Sequence, residues 1–142
     1  MKIQLATTDT EIATCYPVMQ QLRPHITEEE FLPRVREQQE SGYLLAYIED
    51  EGEVVAVAGF RLGLNLAWGR FLYVDDLVIL AQRRSTGYGK QLLQWLHDYA
   101  LEHACEQLHL DSGLQRKEAH RFYLREGMSK ASYHFVDTLG SP

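Results

Sequence analysis

The feature that most constrains the fold of this chain is the stretch from Phe71 to Ala104, FLYVDDLVILAQRRSTGYGKQLLQWLHDYALEHA. Its first part, Phe71–Leu80, is apolar on both alternating faces, which predicts a strand that is covered on both sides. From Leu92 onwards apolar residues recur every three or four positions, which predicts one buried face of a helix. A basic turn with two glycines joins these parts, so the stretch predicts a strand, a turn and a helix in that order.

The turn Gln82–Lys90, QRRSTGYGK, has the features of an anion-binding site. A helix leaves its first N–H groups unpaired and carries a partial positive charge at its N-terminus. Gly87 and Gly89 have no Cβ, so a ligand can approach the backbone closely and a positive φ is allowed. The ligand that such a turn favours is a phosphate or a pyrophosphate.

Two common phosphate-binding motifs are excluded by their spacing. A P-loop needs a glycine five residues before its Gly-Lys pair and a hydroxyl residue after it, but Arg84 and Gln91 stand at these positions. The dinucleotide-binding pattern needs a third glycine or alanine where this chain has Leu92. The turn therefore belongs to another class of anion site.

The turn resembles motif A of the GNAT superfamily, the N-acetyltransferases that bind acetyl-CoA. Residues Arg84 to Gly89 match the pattern R-x-x-G-x-G between a buried strand and a helix. A second segment, Ala119–Met128 (AHRFYLREGM), is similar to the late motif of the family, a helix that carries Phe-Tyr and is closed by glycine before a last strand. This late segment is also similar to bacterial aminoalkylphosphonate and small-amine acetyltransferases. The resemblance extends over essentially the whole chain.

The resemblance implies an α/β (α+β) fold, a mixed central sheet of six to seven strands flanked by four helices. The sequence pattern predicts the order β-α-α-β-β-β-α-β-α-β. The predicted strands are Lys2–Thr7, Tyr43–Ile48, Glu53–Leu62, Phe71–Leu80, Gln107–Asp111 and Met128–Val136. The predicted helices run from Thr8 to before Pro24, from Thr27 to Glu40, from the glycine turn to Ala104, and from Lys117 to Glu126, with Gly127 as C-cap. We expect residues 1–142 to form a single N-acetyltransferase domain.

Composition and net charge limit which partners the protein is expected to bind and in which cellular compartment it is expected to function. The net charge of −6 over 142 residues weighs against nucleic-acid and anionic-membrane binding. It is compatible with a cationic amine as substrate, although solubility alone also explains it. Cys15 and Cys105 have no metal-binding spacing, and no run has the length of a signal peptide or a membrane span. We therefore expect a cytoplasmic protein with free thiols and no metal.

The resemblance implies that acetyl-CoA binds along a strand and the glycine turn. In the family, the strand before motif A carries a β-bulge and splays from the next strand, so that pantetheine pairs with free backbone groups. The expected contacts are the main chain of Leu77, Val78 and Ile79, and, at the pyrophosphate, Arg83, Arg84, Ser85, Thr86, Gly87, Tyr88, Gly89 and Lys90. For the charged side chains among them, the alternative is an ordinary surface cation. Many relatives carry an asparagine where this chain has Arg116, so we expect that contact to be lost or replaced by one to a phosphate.

Acetyl transfer to an amine requires two proton movements. An alkyl ammonium has a pKa of about 10.4, so a base or a water chain must remove its proton. Asp75 and Asp76 are the candidates, because carboxylates in a buried strand must be paired, hydrogen-bonded or facing a cavity. Adjacent strand residues point to opposite faces, so only one faces the acceptor unless a bulge re-aims the pair. The alternative is structural, with both carboxylates bound to bulge amides or to an arginine such as Arg61.

The departing thiolate also needs a proton, and a phenol can supply it. In many family members the tyrosine of the Phe-Tyr pair does this, which by resemblance corresponds to Tyr123. The alternative is that Tyr123 only packs on an amphipathic helix.

The expected function is acetyl-CoA-dependent transfer of an acetyl group to a primary amine of a small molecule, by direct attack in a ternary complex. A covalent enzyme intermediate is not needed, because neither cysteine has the setting of a nucleophile. Two alternatives stay open: a catalytically weak acyl-CoA sensor or regulatory module of the same fold, and an interaction protein that binds no CoA. We expect no nucleic-acid or membrane partner, and the resemblance leaves a homodimer open.

Overall fold

The computed structural model describes residues 1–84 and 86–140. The chain divides into two compact units, Met1–Leu110 and Asp111–Pro142. The first unit contains β1 (Lys2–Leu5), α1 (Asp9–Thr14), α2 (Tyr16–Leu22), α3 (Glu28–Gln39), β2 (Tyr43–Asp50), β3 (Glu53–Asn65), β4 (Gly69–Ile79), a 3₁₀ turn (Ala81–Arg83), α4 (Tyr88–Glu102) and β5 (Gln107–Leu110). The second unit contains α5 (Lys117–Arg125).

The strands of the first unit form one mixed sheet in the order β1-β2-β3-β4-β5. The first four strands are antiparallel neighbours, and β5 joins β4 in parallel. The β2–β3 hairpin turns at Glu51 and Gly52, whose φ angles of 53° and 76° are those that two-residue hairpin loops require. A parallel neighbour needs a crossover, and α4 provides it between β4 and β5.

Helices cover both faces of this sheet, as predicted. On one face α1, α2 and α3 pack on alternate residues of β2 and β3, with Tyr43 and Val57 in the shared core. On the other face the apolar stripe of α4 is buried, and Phe60 lies edge-on to Trp95 and Tyr99 at centroid distances of 6.1 and 5.2 Å. Burial on both faces explains why β2 and β3 are apolar over most of their length.

The predicted helix between Thr8 and Pro24 is two helices. α1 ends at Thr14 and α2 begins at Tyr16, with Cys15 between them. The break lies at Pro17, which has no N–H to donate to the carbonyl four residues earlier and whose ring crowds that carbonyl. Residues 1–84 and 86–140 thus contain five α-helices where four were expected.

The predicted final strand, Met128–Val136, is wrong. Gly127 closes α5 with a φ of 96°, as expected, but no residue from 128 to 140 lies in a strand or helix. Alternation predicts a strand only where a neighbouring edge supplies hydrogen bonds, and here Tyr133 and Phe135 are 83% and 92% exposed. The sheet of the described residues therefore has five strands instead of six to seven.

Both cysteines are free and buried, as expected. Burial raises the pKa of the Cys15 thiol to about 12, so this thiol stays protonated and unreactive at neutral pH. Within the described ranges, no helix is long and apolar enough to cross a membrane.

Candidate active site

The centre of the candidate site is a β-bulge in β4. Val74 pairs with Phe60 and Asp76 pairs with Gly59, so Asp75 is the extra residue of the bulged strand. A bulge breaks the strict alternation of side chains along a strand. As a result, Asp75 and Asp76 line the same cavity, the arrangement that the sequence allowed only in the presence of a bulge.

The cavity has a volume of about 590 Å³ and lies between β4, the end of α2 and α3. This volume is typical of small-molecule sites. Its apolar wall comes from the two helices and the segment between them, through Met19, Ile26, Phe31 and Val35. The cavity wall is therefore mixed, with these apolar side chains beside charged and polar ones.

Both oxygens of Asp76 are already hydrogen-bonded. Arg23 donates from Nε to Oδ1 at 2.9 Å, and its Nη2 lies 2.8 Å from the same oxygen in an ion pair. The Tyr43 hydroxyl donates to Oδ2 at 2.8 Å. Tyr43 reaches Asp76 because Gly59 lies between them; a Cβ there would come within 1.7 Å of the Tyr43 hydroxyl oxygen. Burial, and next the charge of Asp76, raise the pKa of Tyr43 well above its ordinary value, so the phenol remains a donor.

Asp75 is bound on one side only. Arg61 donates from Nε to Oδ2 at 2.7 Å and from Nη2 to the Gln38 side chain at 2.9 Å. The Oδ1 atom of Asp75 accepts no hydrogen bond from any described residue, and the side chain is 25% exposed. Arg23 donates from Nη2 to the carbonyl oxygen of Asp75 at 3.0 Å, which satisfies a backbone group that the bulge removes from the ladder. The ion pair with Arg61 is the one that the structural alternative anticipated.

The strand beyond the bulge has one free edge among the described residues. β5 pairs with β4 only as far as Val74, whereas β4 continues along β3 to Ile79. The amide of Leu80 donates to Val55 in β3, so by alternation the backbone groups of Ile79 and Leu77 point away from β3. These groups are available to an amide-bearing chain, as the expected pantetheine contact requires. The main chain of Val78 faces β3 by the same alternation.

The glycine turn ends at the N-terminus of α4, as predicted. Gly87 is the N-cap residue with a φ of 89°, in the left-handed region that glycine adopts without strain. The first helical bond runs from the amide of Gln91 to the carbonyl of Gly87 at 3.1 Å. The amides of Tyr88, Gly89 and Lys90 thus have no acceptor within the helix or among the other described residues, and they can bind an anion.

The side chains of the turn differ in how free they are. Arg83 donates to Glu53 at 2.9 Å, and this hydrogen bond raises the pKa of Arg83. Arg84 and Lys90 are exposed and form no ion pair with a described residue, so these two cations remain available to a phosphate.

The other predicted side chains of the turn have local partners or lie outside the described part. Tyr88 is buried, and its hydroxyl donates to Asp50. Thr86 donates to the carbonyl of Arg83. Ser85 lies outside the described residues.

Two predicted site residues belong to the second unit. Tyr123 lies on α5 and is partly buried; burial raises the pKa of its phenol, and the charge of Arg116 opposes this weakly. The phenol is therefore protonated at neutral pH, as a proton donor must be. Arg116 is exposed at the N-cap position of α5. The catalytic role of Tyr123 and the phosphate contact of Arg116 stay predictions.

Sequence analysis missed Arg23 and Tyr43 as parts of the site. Arg23 lies 53 residues from Asp76 along the chain, and no local pattern marks such a pair. Gly59 was the available signal, since a glycine inside an apolar strand often marks a close approach of another group.

A mixed sheet with a bulged strand, a free edge beyond it and a glycine turn at a helix N-terminus defines the class of acetyltransferase folds. Residues 6–128 match the Acetyltransferase (GNAT) family, and the chain belongs to this family. It is 37% identical over 131 residues to the uncharacterized N-acetyltransferase YhdJ of Bacillus subtilis, a match covering 91% of this chain and 92% of the relative. The protein is accordingly an N-acetyltransferase.

Two further similarities accompany this family match. It is 33% identical over 89 residues to the aminoalkylphosphonate N-acetyltransferase of Salmonella typhimurium, and this match covers 62% of this chain and 58% of the relative. The structure is similar to that of the aminoglycoside N-acetyltransferase AAC(6')-Iy in complex with the bisubstrate analogue CoA-S-monomethyl-acetylneamine. That similarity has a TM-score of 0.83 at 14% identity, covers 99% of this chain and 98% of the other, and shows a shared fold.

Proposed function

We propose that this protein transfers the acetyl group of acetyl-CoA to the primary amine of a small molecule, by direct attack in a ternary complex. The observation that carries the proposal is the bulge of β4. It presents Asp75 to a cavity of small-molecule size, and the same strand then leads directly into the glycine turn. One continuous segment thus supplies an acceptor site and a co-substrate site.

The co-substrate is held mainly by main-chain groups in this proposal. Pantetheine lies along Leu77, Val78 and Ile79, where the outward backbone groups of the first and third residues supply hydrogen bonds. The pyrophosphate binds the free amides at the start of α4, with charge from Arg84 and Lys90. Because Arg83 is already paired with Glu53, we assign it a smaller share of this binding.

The acceptor amine contacts Asp75 in this proposal, because Asp75 lies at the bulge and its Oδ1 accepts no hydrogen bond from any described residue. Asp75 orients the ammonium group and relays its proton to water in the cavity, after which the neutral amine attacks the thioester carbon. Asp76 has a positioning role, since Arg23 and Tyr43 hold both of its oxygens. The new N–C bond forms as the C–S bond breaks, and the nitrogen gives up its second proton to water, from which the phenolate of Tyr123 is reprotonated.

The leaving thiolate takes the proton of Tyr123 in this proposal. The raised pKa of the phenol keeps that proton in place until a thiolate forms. The proposal requires both units to act as one acetyltransferase domain, and the family match over residues 6–128, which spans both, supports this.

A catalytically weak acyl-CoA sensor of the same fold is the second candidate. One observation favours it: Asp75 and Asp76 are each engaged by an arginine, which stabilises the fold without any substrate. Such a protein would bind acetyl-CoA and release almost no thiol with any amine.

Thiol release from acetyl-CoA, measured against a panel of polyamines, aminophosphonates, aminoglycosides and peptide amines, tests the proposal. With an accepted amine, Asp75→Asn should lower kcat/KM by about 100-fold, because proton removal from the amine is impaired. The matched control is Asp98→Asn, an exposed carboxylate on α4 that should leave kcat/KM unchanged. Tight CoA binding without turnover on any amine would instead support the sensor.

A further inference from the structure

We propose that the acceptor carries an anionic group besides its amine, and that Arg34 and Arg23 bind this group. The inference rests on the proposed function and names the class of acceptor that the cavity selects. It follows from the charges that surround the cavity and from the donors that its arginines leave unused.

The cavity carries charges of both signs, although the whole chain has a net charge of −6. The acidic groups that line it are Glu37, Asp75 and Asp76. The basic groups that line it are Arg23 and Arg34, together with His25. A polycationic acceptor would place positive charge next to these arginines. A zwitterion, which carries one charge of each sign, has an oppositely charged partner for each of its ends in such a cavity.

Arg23 has unused donors at the cavity. Its Nε and Nη2 atoms are occupied by Asp76 and by the carbonyl of Asp75. Its Nη1 atom donates to no described residue, and the side chain is 40% exposed. A guanidinium has five N–H donors in a planar fork, so Arg23 can hold Asp76 and still donate to a ligand.

Arg34 is the second cation of the cavity, and an anionic ligand can bind it more easily than it can bind Arg23. Among the described residues it forms one ion pair, with Glu30 one turn earlier on α3, at 3.5 Å between partners that are 51% and 44% exposed. Exposed pairs of this kind contribute little, so an anion in the cavity can replace Glu30 at small cost. Arginine binds phosphonate and carboxylate groups in a bidentate manner, which fixes the direction of the acceptor.

Asp75 supplies the other end of this arrangement. Its free Oδ1 binds the ammonium group beside the bulge, while the two arginines bind the anionic tail from the α2–α3 side of the cavity. The two ends of a short zwitterion are then held by opposite charges, which orients the amine for attack. A neutral amine of the same length would have only one of these contacts.

The test uses three amines with the same two-carbon chain: 2-aminoethylphosphonate, 2-aminoethanol and 1,2-diaminoethane, whose tails are anionic, neutral and cationic. Thiol release gives kcat/KM for each, and calorimetry in the presence of CoA gives each dissociation constant. We expect the phosphonate to be preferred by at least about tenfold over the other two. Arg34→Gln should reduce that preference by about tenfold, through a loss with the phosphonate that exceeds any loss with 2-aminoethanol.

Arg36→Gln is the matched control, because Arg36 lies on the same helix but binds Asp9 and does not line the cavity. It should keep the preference of the wild type, with melting curves confirming that both variants are folded. Equal use of the three amines, or an equal loss for all three in Arg34→Gln, would overturn the inference while the proposed function stands. If the protein bound no CoA, the proposed function would fail. The inference would still be tested by calorimetry with 2-aminoethylphosphonate alone, because it predicts that Arg34→Gln weakens the binding of this compound.

Discussion

Asp75 and Asp76 are adjacent in sequence, yet their partners give them different chemistry. Arg23 and Tyr43 occupy both oxygens of Asp76, whereas Arg61 occupies one oxygen of Asp75. A carboxylate without such partners would be costly inside a sheet, so these ion pairs are needed for stability. The same ion pairs determine which carboxylate has an oxygen open to the acceptor, so the difference between the two residues depends on single hydrogen bonds.

Tyr123→Phe removes the hydroxyl that we assign to protonation of the thiolate. We expect kcat to fall by about 100-fold, since general-acid catalysis contributes on this order, while the dissociation constant of CoA stays unchanged. Steady-state kinetics of thiol release and calorimetry measure the two quantities separately.

The control for this variant is Tyr133→Phe, because Tyr133 is in the same unit and 83% exposed. Its kinetics should equal those of the wild type. If Tyr123→Phe also turned over at the wild-type rate, Tyr123 would have no part in the chemistry.

At the scale of elements, the site is built from the ends and irregularities of regular structure. The bulge of β4 re-aims two side chains, and the stop of β5 pairing at Val74 frees one edge of that strand. The N-terminus of α4 leaves amides unpaired beside Gly87. Each of these features removes backbone groups from secondary structure, which makes them available to a ligand.

Gly87→Ala tests the glycine turn. A Cβ at this position meets no atom within 4 Å, so the effect is conformational: the φ of 89° is strained for alanine by about 1–2 kcal/mol. We expect lower stability and, because the turn shifts, CoA binding that is weaker by about tenfold, as measured by denaturant unfolding and calorimetry.

Gly127→Ala is the matched control, since Gly127 has a φ of 96° at the end of α5 and equally open surroundings. It should lose similar stability and keep the CoA affinity of the wild type. Equal CoA affinities of both glycine variants would argue against a phosphate contact at Gly87.

The start of α1 gives a prediction about pH. Glu11 accepts hydrogen bonds from the amides of Thr7 and Thr8 at 2.9 and 3.0 Å, and these bonds lower its pKa from 4.5 to about 2. A lowered carboxyl pKa stabilises the fold above pH 4.5, and this contribution is lost as the pH falls towards 2. Glu11→Gln should therefore be less stable than the wild type at pH 6, with the difference vanishing near pH 2.

Urea unfolding at several pH values measures this difference. Glu29→Gln, an exposed residue in the first turn of α3, is the control and should show no such trend. A constant difference between Glu11→Gln and the wild type from pH 6 to pH 2 would contradict the assignment.

At the scale of the whole molecule, local patterns predicted more of the fold than of the site. The strand, turn and helix around Gly87 were predictable because hydrophobic periodicity and glycine are local signals. A proline within a helical pattern, such as Pro17, is also a local signal of the break between α1 and α2. The absence of the predicted final strand could not be foreseen, because alternation cannot show whether a neighbouring strand edge is available for pairing.

The partners of the two carboxylates were less accessible to sequence analysis. The pair of Arg23 with Asp76 joins residues 53 positions apart, and that of Arg61 with Asp75 joins residues 14 apart. Arg61 was anticipated as a structural partner, whereas the pair of Arg23 with Asp76 depends on how the end of α2 lies against β4, which no local spacing encodes. The bulge was expected from resemblance, but the alternation of side chains could not determine which carboxylate it would leave open.

The central claim is that the glycine turn and the free edge of β4 bind coenzyme A. Calorimetric titration of purified, folded protein with coenzyme A tests it most directly. We predict saturable binding of one molecule per chain, weaker at high salt because part of the contact is ionic, and a stabilisation of about 2.7 kcal/mol at a hundredfold the dissociation constant. The absence of both binding heat and stabilisation would contradict the account.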